Sequence, residues 1–437
     1  MKRVLMIAYH FPPMAGSSGI QRTLRFVQHL PRFGWQPLVL SAHPRAYERT
    51  SDDLESEIPT GTVVRRAFAL DTARHLAVGE RYAGFMARPD RWVSWRFDAV
   101  RQGMRMIREF RPDAIWSTYP IATAHLIGAA LQRRSGLPWI ADFRDPMAQE
   151  GYPADPVTRQ QFRDIEQLAT RQAGWCVFTT PGAARMYRER YPESAERIVV
   201  VENGYDEESF VAAEQAGPGL ASPLNPGALT LLHSGIVYPS ERNPVPLFAA
   251  LGRLKDKGLI EPGRFKVRFR AAVHDELLHD LARQHRIEPF IETCPAVGYQ
   301  AALEEMLRAD ALLVMQGSGC NEQIPAKIYE YLRAGRPIVC LSDPAGDTAG
   351  VLRQAGVDRI ARLDSIDEIE ALLPEFLAAV RQGPASHPEP EIVKRASRLA
   401  RAQALANMLD ALPQSVAEPA GAAAAQVIER ARGSVAP

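Results

Sequence analysis

Short, near-continuous apolar runs alternate along this chain with longer stretches in which apolar residues recur every three or four positions. Val4–His10 is the first such run, and Gly16–Gly19 breaks it. From Gln21 to Leu30 the spacing of Leu24, Val27 and Leu30 is that of one helix face. Further strand-sized runs follow at Pro37–Leu40, Val63–Phe68, Ala114–Trp116, Trp139–Asp142 and Cys176–Thr179, with helical patterns at Ile121–Arg134 and Gln160–Gln172. Strands apolar on both faces belong in a parallel sheet covered by helices on either side. The alternation therefore predicts a doubly wound α/β domain.

The rhythm stops near Asn203, and residues 213 to 227 are rich in Pro, Gly, Ala and Ser. It restarts with strands predicted at Leu229–Ser234, Lys266–Ala271, Pro289–Glu292, Ala311–Met315 and Pro337–Leu341, and helices at Pro246–Lys257 and Asp275–His285. The predicted plan is an N-terminal Rossmann-like domain over 1–204, a linker over 205–227 and a second Rossmann-like domain over 228–390. A terminal helix over 391–412 and a disordered tail over 413–437 complete it. A length of 437 residues agrees, because a single core rarely grows past about 250–300. Ligands of such sheets bind outside the C-terminal strand ends. Two of them in tandem are expected to face a shared cleft.

Composition changes this picture little: 46% hydrophobic and 24% charged is ordinary for a globular protein. The apolar runs fall far short of the ~18 residues of a membrane-spanning helix. The short apolar start, followed at once by Pro12-Pro13, reads as a first strand rather than a signal peptide. Cys176, Cys294, Cys320 and Cys340 lack metal-ligand spacing and suit core thiols of a reducing cytoplasm. The net charge of +1 hides an asymmetry, since residues 1–111 carry 18 Lys/Arg against 10 Asp/Glu. Between 81 and 111, Arg81, Arg88, Arg91, Arg96, Arg101, Arg105 and Arg108 interleave with Phe85, Trp92, Trp95 and Phe97. That mixture suits either peripheral contact with an anionic membrane or a helix whose aromatics pack inward.

Five segments carry candidate chemistry. Gly16, Ser17, Ser18 and Gly19 follow the first strand and open a helix, where free N–H groups suit an anion; Arg22 lies in its first turn, opposing the helix dipole. Asp142-Phe143-Arg144-Asp145 ends a strand, either at a ligand or as a structural ion-pair cluster. Asn203-Gly204 is a turn at the domain junction. His233-Ser234-Gly235 ends a strand, and Arg242 precedes a helix. The most specific segment runs from Glu322 through Gln323, Ile324, Pro325, Ala326 and Lys327 to Glu330. Pro325 is expected at its first helical position and Gly335 at its C-terminal cap.

Glu322 and Glu330, seven residues between them and Ala-Gly-x-Pro after, resemble the E-x7-E signature of retaining GT-B glycosyltransferases, notably glycosyltransferase family 4. The Pro-Pro-x-x-Gly start, the Asn-Gly-Tyr-Asp junction, Gly235 with Arg242, and Ala-Lys-Ile-Tyr-Glu-Tyr agree in order with that family up to about residue 410. Asp-Phe-Arg-Asp-Pro resembles its bacterial exopolysaccharide, capsule and O-antigen subgroup. The resemblance implies a cytoplasmic, metal-independent enzyme, peripheral at the inner membrane face. It would carry no bound cofactor and would move a sugar, with retention, from a UDP- or GDP-linked donor to a glycan or polyprenyl-linked acceptor; no nucleic acid partner is expected.

Carried over, Glu330 holds the donor ribose, Glu322 contacts the donor sugar, and Arg242 and Lys327 neutralise the diphosphate. Backbone N–H groups from Glu322 to Lys327 help hold the sugar. Gly16 and its neighbours approach the diphosphate, Val297 and Tyr299 frame the base, and Asp142 and Arg144 complete the catalytic set. Two departures stand out: Ile236 follows Gly235 where the family often has arginine, and Asp142–Asp145 stands where many members carry His-Asp. Two other readings remain at this level, a non-catalytic subunit of a polysaccharide-assembly complex and a nucleotide-sugar 2-epimerase of the same fold.

Overall fold

The computed structural model describes residues 1–17, 19–79, 81–215, 222–383 and 388–413, and the chain divides into two compact units. One comprises Met1–Glu202 and the stretch from Arg398 onward; the other is Asn203–Ser397. Ser18 and the tail beyond Pro413 lie outside the described residues.

In the first unit, β1 (Lys2–Ile7), β2 (Trp35–Ala42), β3 (Val63–Ala67), β4 (Ala114–Thr118), β5 (Trp139–Arg144), β6 (Trp175–Phe178) and β7 (Ile198–Val200) form one sheet in the order β3-β2-β1-β4-β5-β6-β7. Every neighbouring pair is parallel. Successive side chains of a strand point to opposite faces, and the core divides accordingly. Leu5 and Ile7 join one buried cluster, Val4 and Met6 the other. Helices Trp95–Phe110, Thr123–Ser135 and Pro156–Gln172 cover the first face. Helices Gly19–His29 and Arg398–Asp410 cover the second, the latter through Ala402, Leu405, Ala406, Met408 and Leu409.

The second unit repeats the plan. Its strands are β8 (Leu229–Ser234), β9 (Phe265–Arg270), β10 (Ile291–Cys294), β11 (Ala311–Gln316), β12 (Ile338–Ser342) and β13 (Ile360–Ala361), in the order β10-β9-β8-β11-β12-β13. Leu231, Leu313 and Met315 face a cluster with helices Val245–Asp256, Asp275–His285 and Ile366–Gln382. Leu232, Leu312 and Val314 face helices Tyr299–Arg308, Lys327–Ala334 and Asp347–Gln354. In both sheets the winding reverses beside the first strand, between β1 and β4 and between β8 and β11, which is the topological switch point of a Rossmann sheet.

Several expectations shift. The segment expected as a linker opens with a helix, Glu207–Glu214, capped by Asp206 and held to the second unit by buried Phe210 and by the Arg333 guanidinium, 2.7 and 2.8 Å from Glu207 and Glu214. The expected terminal helix is two helices, Pro390–Arg395 in the second unit and Arg398–Asp410 in the first. Between them Ser397 pairs with Tyr205 in a parallel bridge. The first strand ends at Ile7 rather than His10. In the 81–111 segment Trp95 is buried and Trp92 packs on the core, the inward alternative, while Phe85 and Phe97 stay exposed.

Leu405 is 2% exposed against the β1 side of the sheet. Leu405→Ala is expected to destabilise the first unit by about 2–5 kcal/mol, read as a lower urea midpoint with an unchanged m-value.

Candidate functional site

Helix Lys327–Ala334 of the second unit starts two residues later than Pro325 suggested and ends at Gly335, whose φ of 66° makes the left-handed cap. Lys327 and Tyr331 lie four residues apart on one face, which meets the end of β8. The Tyr331 hydroxyl accepts the Ser234 N–H at 2.8 Å, and the Lys327 Nζ lies 3.2 Å from His233 Nε2. Next comes Gly235 at φ +116°, where a Cβ would stand 3.0 Å from Lys327 Nζ. Glycine is required there by backbone geometry, and a Cβ would also crowd the Lys327 tip.

Arg242 approaches the same point. Its Nη1 donates to the Ile236 carbonyl at 2.7 Å, its guanidinium lies 5.5 Å from the Tyr238 ring centre, and its Nε is buried with no acceptor among the described residues. Burial and the Arg242 charge push the Lys327 pKa well down, with Glu330 acting in the opposite sense. His233 is likewise held neutral by burial and by the Lys327 charge. Two cations thus share one strand end, and neither forms an ion pair with a carboxylate among the described residues. A site of this kind has room for negative charge to be supplied from outside.

Glu330, three residues beyond Lys327, accepts the Tyr299 hydroxyl at 2.9 Å. Tyr299 begins a helix and, like Val297, is partly exposed. Glu322 sits in the turn before the Lys327 helix. That turn is anchored where the Gln323 carbonyl accepts Thr348 Oγ1 at 3.1 Å and where Ile324 enters the core; Pro325 is half-buried and Ala326 exposed. Asn203 opens the second unit, two residues before the Tyr205–Ser397 bridge.

The strand ends of the first unit are arranged differently. Arg22 Nε and Nη2 lie 2.8 and 3.1 Å from the two oxygens of Asp142, and Nη2 also donates to the Val201 carbonyl at 2.9 Å. Thr118 Oγ1 donates to Asp142 at 3.2 Å and accepts Arg144 Nε at 3.0 Å. Arg144 also donates to the Gly19 carbonyl at 2.8 Å; its φ of 61° follows a bulge in β5, and burial lowers its pKa to about 10, which leaves it charged at neutral pH. His10 Nδ1 lies 3.0 Å from Ser17 Oγ, and burial with the Arg144 charge lowers its pKa to about 3. A Cβ on Gly19 would come within 2.7 Å of both Arg144 and His10; Gly16 turns the loop at φ +81°.

Residues 18–204 match the glycosyl transferase 4-like domain family. No curated relative matches the chain. Among solved structures, HepE of Anabaena in complex with UDP is 15% identical with a TM-score of 0.58, covering 100% of both chains. A glycosyltransferase from Rickettsia africae is 11% identical with a TM-score of 0.61 over 99% of this chain and 98% of its own. A Listeria monocytogenes protein assigned as a UDP-N-acetylglucosamine 2-epimerase is 10% identical with a TM-score of 0.55 over 94% and 96%. At such identities the likeness is one of fold, the two-Rossmann-unit GT-B architecture.

Within the first unit, Arg22 and Asp142, expected beside a ligand, pair with each other. Their side chains are 6% and 0% exposed and are committed to each other. The anion that offsets Arg22 at its helix start is Asp142, so the ion-pair reading of this segment describes the structure. In the second unit the structure brings Gly235, Arg242, Lys327 and Glu330 together through direct contacts or mutual charge effects. Sequence reasoning quoted His233 but assigned it nothing. Its signal was a titratable residue inside a buried strand of leucine, threonine and serine, one residue before the last.

Asp142→Ala leaves the Arg22 charge buried without its partner, a loss expected to cost about 3–5 kcal/mol. Arg22→Met combined with Asp142→Leu should lose much less than the sum of the single changes. Additive losses in denaturant unfolding would show that the pair is not the unit of stability.

Proposed function

We propose that the protein is a glycosyltransferase that moves a sugar from a UDP- or GDP-linked donor, with retention of configuration, to a glycan or polyprenyl-linked acceptor. The observation that carries this reading is the pair Arg242 and Lys327 at Gly235, two basic side chains with no ion pair to a carboxylate among the described residues, at the switch point of a Rossmann sheet. Arg242 and Lys327 hold the donor diphosphate, and Gly235 lets it approach the backbone. Glu330, oriented by Tyr299, accepts from the ribose hydroxyls, while Val297 and Tyr299 border the base. Glu322 and the backbone from Gln323 to Lys327 hold the sugar. Asn203, Gly16, Ser17 and Gly19 are donor-side contacts in the same reading, with Arg144 setting the Gly19 backbone; the first unit serves the acceptor.

When the bond from sugar to diphosphate breaks, the departing oxygen takes up negative charge and accepts the proton of the acceptor hydroxyl. Fixed cations stabilise that charge most where water is excluded. The same cations take the place of a metal ion in this reading.

Acceptor chemistry adds a surface to the proposal. Phe68, Val78, Phe85 and Phe97 are 44%, 86%, 74% and 79% exposed, with Arg45 stacked 5.6 Å from the Phe68 ring. Phe68, Phe85 and Phe97 lie near residues linked by hydrogen bonds, in which the Phe68 N–H donates to Asp98 and Thr72 Oγ1 to the Met86 and Arg91 carbonyls. Apolar side chains among arginines suit the surface of an anionic bilayer, where a lipid-linked acceptor resides.

Three results are expected. Purified protein hydrolyses or transfers from one of a panel of UDP-, GDP- and ADP-sugars, and activity persists in excess EDTA; inactivity rescued by Mg²⁺ or Mn²⁺ would overturn the charge assignment. Glu330→Ala weakens donor binding at least about tenfold, since charged hydrogen bonds contribute ~1.5–3 kcal/mol each. Lys327→Ala lowers kcat more than it raises the donor KM, because its contact strengthens as the leaving group gains charge. For the surface, flotation with phosphatidylglycerol vesicles is expected to show salt-sensitive binding that the Phe85→Ser, Phe97→Ser double variant loses. Equal binding to neutral vesicles would count against it.

A further inference from the structure

We propose that His233 is a positioning residue that holds the Lys327 amino group in place for an anionic ligand without adding a counter-charge of its own. The inference rests on the reading of Gly235, Arg242 and Lys327 as a diphosphate cradle.

His233 is fully buried near the end of β8. Its Nδ1 lies 3.0 Å from the Leu313 carbonyl on β11, the strand on the far side of the switch point. A carbonyl only accepts, so Nδ1 carries the proton. In a neutral imidazole Nε2 then bears the lone pair, and that nitrogen faces Lys327 Nζ at 3.2 Å. The ring is fixed at its back by a strand it does not belong to, and presents one acceptor to Lys327. On its other side it packs 6.0 Å from Phe269 on β9.

The neutrality of that acceptor is the point. A carboxylate in the same place would hold the lysine more firmly but would cancel the charge a phosphate is to meet. An imidazole restrains one N–H and brings no negative charge of its own. Burial, the Lys327 charge and the Arg242 charge all resist protonation of the ring. Arg242 is treated alike, since its Nη1 is held by the Ile236 carbonyl, another neutral acceptor. With Gly235 leaving space for the tip of Lys327, both side chains are oriented and neither is ion-paired to a carboxylate among the described residues. Glu330, the carboxylate that acts on Lys327, hydrogen-bonds Tyr299.

Calorimetric titration with inorganic pyrophosphate tests this without assuming a base or sugar, with UDP as a second probe. His233→Asn keeps a donor for the Leu313 carbonyl but is too short to reach Lys327; His233→Gln reaches Lys327 with an amide oxygen. Lys327→Ala is expected to weaken pyrophosphate binding about tenfold, the loss of one charged hydrogen bond. His233→Asn should weaken it several-fold, while His233→Gln restores it to within about twofold. On the Lys327→Ala background His233→Asn should have no further effect, as expected for residues acting as one unit.

Undiminished binding in His233→Asn, with Lys327→Ala still impaired, would overturn the positioning role and leave the cradle standing. So would an equal loss on the Lys327→Ala background, or a His233→Gln variant as weak as His233→Asn. Failure of the wild-type protein to bind pyrophosphate or UDP, or wild-type binding by Lys327→Ala, would instead overturn the cradle and this inference with it.

Discussion

Where a parallel sheet reverses its winding, the crossover helices lead away to opposite faces and the strand ends beside the reversal are left without a helix above them. Something polar has to fill that place, and in each unit arginine or lysine side chains do so. The difference between the units lies in what those cations meet. At the first reversal Arg22 meets Asp142, and Thr118 links that pair to Arg144. At the second, Arg242 and Lys327 meet neutral acceptors, a carbonyl and an imidazole. One topology thus yields a closed charge network in one unit and an open one in the other.

The closed network has structural consequences along the first unit. Arg22 lies in the first turn of helix Gly19–His29, Asp142 near the end of β5, and Val201, whose carbonyl Arg22 also holds, just past β7. Arg401, on the helix that returns from the second unit, pairs with Glu202 next to it. The chain therefore leaves the first unit and re-enters it through residues tied to the same neighbourhood. A buried guanidinium held by a carboxylate and two carbonyls resists rearrangement, because opening it exposes an unpaired charge to a poorly polarisable interior. This makes the switch point of the first unit a stiff frame around the loop at Gly16–Gly19, whose last residue has no room for a side chain.

How much of this the sequence disclosed depends on element length and on who supplies the partner. Long strands such as β1, β2 and β11 advertise themselves through unbroken apolar runs. Strands β7 and β13 span three and two residues, too few for any period to show, and hold their place through neighbours. The segment after Asn203 reads as a linker by composition, yet Glu207–Glu214 is a helix that buries Phe210 and pairs with Arg333, well over a hundred residues on. The glutamates at 322 and 330 were legible because they fall within one turn and one helix. The Arg22–Asp142 pair was not, since the two residues stand 120 positions apart and each alone looks like a ligand group. Local sequence shows where charge is available; only the tertiary contacts show whether it has already been used.

The spacing of Glu322 and Glu330 acquires a physical sense from the same distinction. Helix Lys327–Ala334 is eight residues long, so it has little stability of its own. Ile328 and Leu332, four residues apart, bury one stripe, while Lys327 and Tyr331, also four apart, take the stripe that meets the end of β8. Glu330 follows Lys327 by three, which turns it toward Tyr299. Upstream, the turn carrying Glu322 is tied down by Asn321, whose side chain donates to Asp343 at 2.7 Å and whose carbonyl accepts the Asp347 N–H at 2.9 Å. Its neighbour Cys320 is buried. A residue inserted between the two glutamates would slip the turn against the helix, or rotate the helix by about 100°. That rotation would carry Lys327 off His233 and Tyr331 off Ser234. The seven-residue interval is thus the length at which an anchored turn and a short, externally held helix can each keep their own contacts, with a carboxylate at either end.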